Sequence, residues 1–286
     1  MGSDRLFFGS YATLYRDVKA MVPRLPEADA IVGVPRSGML PAAMLATLLH
    51  KPLGWWNPHA HPPALECAVG TRLGPIEQTG PIKRALVIDD ACYAASFRGR
   101  FSGLRDVGVE PVSACVYGGP GTPGLVDVCG RVAPRPRVFS WNLLNCSTAK
   151  SFCVDLDGVL CEDPTEAQND DGPRYLEFIA NAPPLHRCAW PVHSIVTSRL
   201  EKYRGETEAW LEGRGIKYGH LVMAPYLSKA ERKAANRHAE DKAEYFAGTK
   251  CHAFIESSER QAKRIAELTG RPVICTDTDT GYNVRS

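Results

Sequence analysis

The chain has 286 residues, more than one core of average size needs, so its length predicts two domains. Hydrophobic residues make up 44% and charged residues 23%, a balance that excludes a disordered chain or a fibrous repeat. Lysine and arginine number 34 against 32 acidic residues, and the resulting net charge of +2 gives no indication of nucleic acid as a partner.

The sequence also lacks the marks of a membrane or secreted protein. Its longest strongly apolar stretch, residues 39–49, contains a proline and is about half of the roughly 20 residues that a membrane span needs. Residues 1–15 have no apolar core of a secretory signal. Ten cysteines are scattered without a CxxC pair, which predicts reduced thiols. We therefore expect a cytoplasmic protein that does not associate with membranes.

In the first half, apolar strands alternate with turns and helices. A strand at 30–34 leads through a short turn into a helix at 39–50. A second strand, 85–88, ends at Asp89 and Asp90 and is followed by a helix at 96–107 and a strand at 111–117. This succession predicts a parallel sheet whose ligands bind at the carboxyl ends of the strands.

A glycine- and proline-rich stretch follows, and a new apolar strand begins near residue 151, so we place a domain boundary near residue 148. The predicted elements beyond it are strands at 151–155, 193–197, 218–223, 251–255 and 272–275, and helices at 173–180, 203–213, 229–246 and 258–269. The fold class is therefore α/β, with two tandem doubly wound (Rossmann-like) domains, residues 1–148 and 149–286.

Asp89 and Asp90 form an acidic pair at a predicted strand end. Neighbouring strand residues point to opposite faces, so a paired site requires the backbone to turn there. Two such carboxylates suit the vicinal hydroxyls of a ribose, and the amides of the following turn suit its 5-phosphate. A purely structural helix cap is the alternative.

Residues 34–38 and 87–96 together resemble the diphosphate loop and the phosphoribosyl diphosphate signature of type I phosphoribosyltransferases, over roughly residues 10–145. The resemblance implies that the acidic pair binds ribose and that Mg²⁺ bridges ribose and diphosphate. The implied phosphoribosyl diphosphate contacts are Arg36, Ser37, Gly38, Asp89, Asp90, Ala91, Cys92, Tyr93, Ala94, Ala95 and Ser96.

Three features bear on that resemblance. The family loop reads Thr-Gly-Gly-Thr. The corresponding residues 93–96 of this chain are Tyr-Ala-Ala-Ser, which retain a hydroxyl at Ser96 but not the glycines. Residues 62–80 suit a mobile lid. Trp141 is either a stacking contact for the acceptor or a core aromatic.

A second motif follows the strand that begins near residue 151. Asp155 and Asp157, followed by Gly158, resemble motif one of the haloacid dehalogenase superfamily. Residues two apart on a strand share a face, so both carboxylates can converge on one phosphoryl group. Asp155 is the expected nucleophile at an exposed strand end, and Asp157 the expected proton donor.

Further segments match that superfamily over about residues 151–277. Thr197 resembles the motif-two hydrogen-bond donor, and Lys242 is the favoured motif-three cation, with Lys229 and Lys233 as competitors. Glu256 stands where an acidic metal ligand is expected, so Asp155, Asp157 and Glu256 form the predicted Mg²⁺ site. The interval between Asp157 and the motif-two strand is short, so any cap inserted after motif one is small.

The two resemblances together imply a bifunctional enzyme. The first domain transfers 5-phosphoribose from phosphoribosyl diphosphate to an acceptor and releases diphosphate. The second, a Mg²⁺-dependent phosphatase, removes the 5-phosphate through a phosphoaspartate and leaves a riboside. One alternative is nucleobase salvage with an attached nucleotidase, and another is a non-catalytic phosphoribosyl diphosphate sensor. The acceptor is not identified, and a homo-oligomer is one of the open assembly states.

Overall fold

A computed structural model of the chain describes residues 5–68, 70–71, 74–75, 80–92 and 95–285. The chain divides into two compact units. The first unit is Tyr11–Arg135, and the second is the chain from Pro136 onward together with the segment that ends at Ser10. None of the helices in these ranges is long and apolar enough to cross a lipid bilayer.

The first unit is built around a six-stranded sheet. Its strands are β2 (Ala30–Gly33), β3 (Leu53–Asn57), β4 (Ala64–Ala68), β7 (Arg84–Cys92), β8 (Glu110–Gly118) and β9 (Val128–Val132). Gly70–Thr71 (β5) and Gly74–Pro75 (β6) form a separate antiparallel pair. Its helices are α1 (Tyr11–Met21), α2 (Met39–Leu49) and 3₁₀ segments at Val22–Arg24 and Ala95–Val107. The sheet order is β4-β3-β2-β7-β8-β9, and β3–β4 is its antiparallel pairing.

Helices cover both faces of this sheet. On one face, Phe97, Phe101 and Leu104 of the 3₁₀ segment pack with Val87 and Cys115 of the central strands. On the other face, α2 packs against β2 and β7. Because both faces are covered, the central strands read as continuous apolar runs, which is the pattern from which the parallel sheet is predicted.

The second unit contains another six-stranded sheet. Its strands are β11 (Phe152–Val154), β12 (Val192–Leu200), β13 (Tyr218–Ala224), β14 (Ala253–Glu256), β15 (Val273–Cys275) and β16 (Thr280–Tyr282). Its helices are α3 (Pro173–Asn181), α4 (Arg204–Gly213), α5 (Lys229–Ala235), α6 (His238–Ala247), α7 (Glu259–Thr269) and 3₁₀ turns at Ser140–Asn142, Ser147–Ser151 and Glu201–Tyr203. The order is β13-β12-β11-β14-β15-β16, with β15–β16 antiparallel.

Alternate residues of β11 enter two different cores. Phe152 and Val154 pack on the face that α3 and α4 cover, whereas Cys153 packs on the face that α6 and α7 cover. The prediction of an α/β chain with mostly parallel sheets is confirmed in both units.

The structure corrects the predicted boundary near residue 148. Strand β1 (Phe7–Gly9) pairs in parallel with β10 (Arg137–Phe139), so both ends of the first unit lead into the second. Val138 and Leu144 are buried in the same core as Phe152, which places residues 136–148 in the second unit.

One further prediction, the helix at 229–246, is wrong in detail, and the predicted lid stays a prediction. The single helix expected at 229–246 is divided into α5 and α6, because Asn236 adopts a left-handed conformation with φ of 49° and ends α5. Residues 64–68, within the predicted lid, form strand β4 on the sheet edge. Residues 69, 72, 73 and 76–79 of that segment lie outside the described residues.

Candidate active sites

The loop that follows β2 lies directly against the acidic end of β7. The amide of Val34 donates to the carbonyl of Ile88 at 3.0 Å. A Cβ atom built on Gly38 would stand 2.8 Å from Oδ1 of Asp89 and 2.7 Å from the carbonyl oxygen of Val34. The absence of a side chain at Gly38 thus lets the loop approach the carboxylate, and the two sequence segments of the first predicted site are neighbours.

The acidic pair is positioned differently from the sequence prediction. Strand β7 does not end before Asp89 but continues to Cys92, because β8 remains paired with it that far. The pairing of β7 with β2 ends at Ile88, so Asp89 and Asp90 lie just beyond the last residue of β7 that pairs with β2. Asp90 is buried and Asp89 is half-buried.

Backbone amides fix both carboxylates of the pair. Oδ1 of Asp89 accepts from the Asp90 amide, and Oδ1 of Asp90 accepts from the Ala91 amide, each at 2.9 Å. These bonds set the side-chain orientations, and a carboxylate oxygen can accept more than one hydrogen bond, so the same groups suit hydroxyl donors.

The structure describes the remaining predicted transferase residues unevenly. Arg36 is exposed and Ser37 half-buried in the loop that precedes α2. Tyr93 and Ala94 lie outside the described residues, and of Ala95 and Ser96 only the backbone, at the start of the 3₁₀ segment, is described. Their phosphate contacts stay a prediction.

Trp141 belongs to the second unit rather than the first. Its ring stacks on Phe139 with a centroid distance of 4.8 Å and an interplanar angle of 9°. This packing is the structural alternative that the sequence left open, and the acceptor-stacking role stays a prediction.

In the second unit, Asp155 directly follows β11 at the carboxyl edge of the sheet. Its amide donates to the carbonyl of Ile255 at 2.9 Å, which ties it to the neighbouring strand. The side chain is buried rather than exposed, because α6 covers this strand end: Oδ2 accepts from Nζ of Lys242 at 2.6 Å. The sequence expectation of an exposed nucleophile is therefore wrong.

Lys242 is the lysine that reaches Asp155. Its buried Nζ also donates to Oε2 of Glu256 at 2.7 Å, so one ammonium joins two carboxylates. Burial opposes its charge, but the two carboxylates raise the pKa of Lys242 above its ordinary value. Of the competing lysines, Lys229 donates to the carbonyl of Asn169 and Lys233 is exposed.

Glu256 is fully buried at the end of β14. Its second oxygen, Oε1, accepts from the amides of Ser257 and Ser258 at 3.1 Å each. Burial raises the pKa of Asp155. The Lys242 ammonium opposes this rise, and the Glu256 carboxylate adds to it. Two buried carboxyl groups thus share a single ammonium, and the site is rich in oxygen donors.

Asp157 is held by an arginine that the sequence analysis did not select. Nε of Arg199 lies 3.1 Å from both carboxylate oxygens of Asp157, and Nη2 lies 2.6 Å from Oδ1. Arg199 is fully buried. Burial lowers the pKa of its guanidinium, but the charge of Asp157 outweighs this effect and raises that pKa. The paired geometry fixes the orientation of the Asp157 carboxylate.

Thr197 lies in a local irregularity of β12. The pairing of β12 with β13 is regular up to Val196 and shifts before Leu200. Thr197 is buried, and its Oγ1 accepts from the amide of Arg199 at 3.2 Å, which leaves the hydroxyl proton to donate. A bulge of this kind re-aims side chains beside a site.

Asp163 is a further acidic group near this edge. A Cβ built on Gly158 would stand 2.9 Å from its Oδ2, which places the carboxylate against the turn after Asp157. Burial, and then the charges of Asp157 and Asp277, raise the pKa of Asp163. A sequence signal for Arg199 exists, since it lies two residues after Thr197 and shares its strand face, whereas Asp163 follows an irregular turn without periodicity.

Gly158 is the glycine with the strictest requirement in this site. Its φ is +78°, and an added Cβ would lie 2.2 Å from Oγ and 2.7 Å from Cβ of Ser257. We expect Gly158→Ala to lower the free energy of unfolding by about 2–4 kcal/mol, from left-handed strain and the clash together. Urea denaturation measures this loss.

Gly215 provides the matched control for that variant. Its φ is +66°, but an added Cβ would meet no described atom within 4 Å. Gly215→Ala should cost about 1–2 kcal/mol, the strain alone. Equal losses in the two variants would contradict the close packing of Gly158 on Ser257.

Comparison with protein-family models and with curated proteins finds no match for this chain. Among solved structures, a purine phosphoribosyltransferase from Pyrococcus horikoshii Ot3 is 21% identical, with a TM-score of 0.35. The similarity covers 48% of this chain and 93% of the Pyrococcus protein. A xanthine-guanine-hypoxanthine phosphoribosyltransferase from Helicobacter pylori is 19% identical, covering 48% and 94%, with a TM-score of 0.36. An orotate phosphoribosyltransferase from Aeropyrum pernix is 23% identical, covering 42% and 70%, with a TM-score of 0.31. Each similarity spans about half of this chain, and none of these three proteins is a haloacid dehalogenase.

Proposed function

We propose that the chain is a bifunctional enzyme that forms a phosphoribosylated product and then removes its 5-phosphate. The observation that carries the second activity is the buried Lys242 ammonium between Asp155 and Glu256. The first activity is supported by the close approach of Gly38 to the Asp89 carboxylate. Both arrangements lie at the carboxyl ends of parallel strands, where ligands of such sheets bind.

In the transferase site, the acidic pair binds the ribose. The amide-oriented carboxylates of Asp89 and Asp90 accept hydrogen bonds from the two ribose hydroxyls. The exposed guanidinium of Arg36 and the backbone of residues 36–38 bind the diphosphate. The C1′–O bond to diphosphate breaks, the acceptor forms the new bond to C1′, and diphosphate leaves. The following loop, residues 91–96, holds the 5-phosphate.

In the phosphatase site, Asp155 attacks the phosphorus of the 5-phosphate. The bond between phosphorus and the ribose oxygen breaks, and Asp157 supplies the proton that the leaving oxygen takes. Water then attacks the phosphoaspartate and gives its proton to Asp157, which releases inorganic phosphate. Thr197 donates to a phosphoryl oxygen, and Lys242 offsets the charge of the nucleophile.

The donor set of this second site fits Mg²⁺. Two buried carboxylates facing a single ammonium leave an excess of hard oxygen donors, which a small divalent cation would offset. Asp155, the carbonyl of Asp157 and Glu256 would hold it, and the ion would supply charge neutralisation for the phosphoryl group.

The direct test incubates the protein with Mg²⁺, phosphoribosyl diphosphate and a panel of acceptors that includes the nucleobases, and follows products by mass spectrometry and phosphorus NMR. Acceptor-dependent diphosphate release followed by inorganic phosphate supports the proposal. Turnover with nucleobases alone would favour salvage with an attached nucleotidase. Binding of phosphoribosyl diphosphate without any turnover would replace the enzyme by a sensor.

Removal of divalent metal should abolish both half-reactions. Each reaction moves a phosphate-rich group whose charge the protein side chains do not fully offset. After treatment with excess chelator in metal-free buffer, we expect neither diphosphate nor inorganic phosphate release above background, and recovery when Mg²⁺ is restored. Activity of either half without metal would contradict the Mg²⁺ assignment for that half.

A further inference from the structure

A second group of possible metal ligands lies in the second unit and includes none of the carboxylates of the proposed phosphatase site. Within the described part of the chain, the ligand atoms of Cys153, His193 and Cys251 all lie within 4.8 Å of one another. They come from three segments: β11, β12 and the residues just before β14. Both cysteines are buried free thiols, and His193 is half-buried.

The segment that contains Cys251 is fixed by surrounding polar contacts. Arg271 donates to the carbonyls of Phe246, Thr249 and Cys251. The hydroxyl of Thr249 accepts from the Cys251 amide at 3.3 Å and lies 3.9 Å from Sγ of Cys153. The two sulfur atoms are therefore held near each other by the fold.

The imidazole is also oriented. Nδ1 of His193 lies 2.6 Å from Oγ of Ser194, which in turn lies 2.7 Å from the hydroxyl of Tyr245. A hydrogen bond on Nδ1 orients the ring and leaves the other ring nitrogen as the metal ligand. The exposed His220 has its ring centroid 5.5 Å from that of His193.

We propose that Cys153, Cys251 and His193 bind one zinc ion. Thiolate and imidazole ligands select a borderline-soft divalent cation over Mg²⁺, and two thiolates with a neutral imidazole give a site without net charge once Zn²⁺ is bound. Binding releases the two thiol protons to solvent, and water or His220 completes a tetrahedral set. The ion would connect β11, β12 and the start of β14.

Helix α6 relates this group to the phosphatase site. Lys242 reaches Asp155, and Tyr245, about one turn later, reaches the Ser194 hydroxyl beside His193. Cys153 lies in β11 and precedes Asp155, which follows that strand, by two residues. Zinc would thus stabilise the strand and helix that carry the nucleophile and its lysine, without itself contacting the phosphoryl group.

The test measures metal content of the reduced full-length protein after incubation with zinc chloride and gel filtration. We expect about one zinc per chain in the wild type, and less than a tenth of that in Cys153→Ser and Cys251→Ser. Cys115→Ser, which changes a buried thiol of the first unit, and Asp155→Asn should both retain zinc. Loss of zinc in Asp155→Asn would assign the ion to the phosphatase site instead.

Cobalt substitution of the wild type keeps the proposal testable if the cysteine variants fail to fold. Bound Co²⁺ should show thiolate-to-metal charge-transfer absorption and the intense visible bands of tetrahedral coordination. A reduced wild type that binds neither zinc nor cobalt, or a Cys153–Cys251 disulfide found by mass spectrometry in place of metal, would overturn the proposal. These readouts do not depend on catalytic activity, so they remain decisive even if the bifunctional assignment fails.

Discussion

Asp155→Asn is expected to lower phosphatase turnover by roughly 10⁴-fold or more, the effect of removing a covalent nucleophile. The neutral amide cannot form the phosphoaspartate, whereas Lys242 keeps its second partner, Glu256, at 2.7 Å. The buried ion pair therefore loses one member without leaving the ammonium unpaired. Release of inorganic phosphate from ribose 5-phosphate esters measures the loss, and circular dichroism checks the fold.

Glu259→Gln is the matched control for this variant. Glu259 is exposed and pairs with Lys263 on α7, so the same change of acid to amide should leave phosphatase turnover within a factor of two. If the two reactions are consecutive, Asp155→Asn must also accumulate the phosphoribosylated acceptor that the wild type converts to a riboside. The same riboside from both proteins would show that the second unit does not process the product of the first.

Replacement of Asp89 and Asp90 together by Asn should weaken phosphoribosyl diphosphate binding by at least about 100-fold. Each charged hydrogen bond to the ribose contributes about 1.5–3 kcal/mol, and both carboxylates lose their charge while the side chains keep their shape. Titration calorimetry with Mg²⁺ present measures the affinity.

Glu110→Gln provides the control for the double variant. Glu110 begins β8 at the opposite end of the same sheet, where its exposed carboxylate pairs with Arg105, so its replacement should not alter binding. Equal affinity of the double variant and the wild type would remove the ribose assignment for the acidic pair. Equal weakening in both variants would attribute the effect to general destabilisation.

Those features that depend on a repeated chemical pattern were predictable from the sequence. The apolar run before Asp155 predicts a buried central strand, and Thr197, Lys242 and Glu256 follow it in chain order on three separate elements of the same unit, β12, α6 and β14. The structure brings Lys242 within hydrogen-bond distance of Asp155 and Glu256. Helix and strand alternation was predictable for the same reason, since burial on both faces of a sheet imposes it.

The features that could not be predicted depend on contacts between distant segments. The extension of β7 to Cys92 is imposed by its pairing with β8, and nothing in residues 84–92 alone shows where that pairing ends. The ion pair of Arg199 with Asp157 joins residues 42 positions apart, and although the spacing of Arg199 from Thr197 is a signal, nothing in the sequence identifies Asp157 as its partner. The break at Asn236 depends on one residue whose left-handed conformation is tolerated but not required by its type.

The pairing of β1 also determines the order in which the units can fold during synthesis. The first unit is a continuous segment, so it can fold once Arg135 has left the ribosome. Strand β1 emerges before it but pairs with β10, and Phe8 and Leu6 exchange backbone hydrogen bonds with Arg285. The apolar Phe7–Gly9 segment therefore gains its partner β10 only after the first unit has been translated, and its partner Arg285 much later still. A nascent chain stalled after residue 135 should contain a folded first unit that carries an unpaired, aggregation-prone strand.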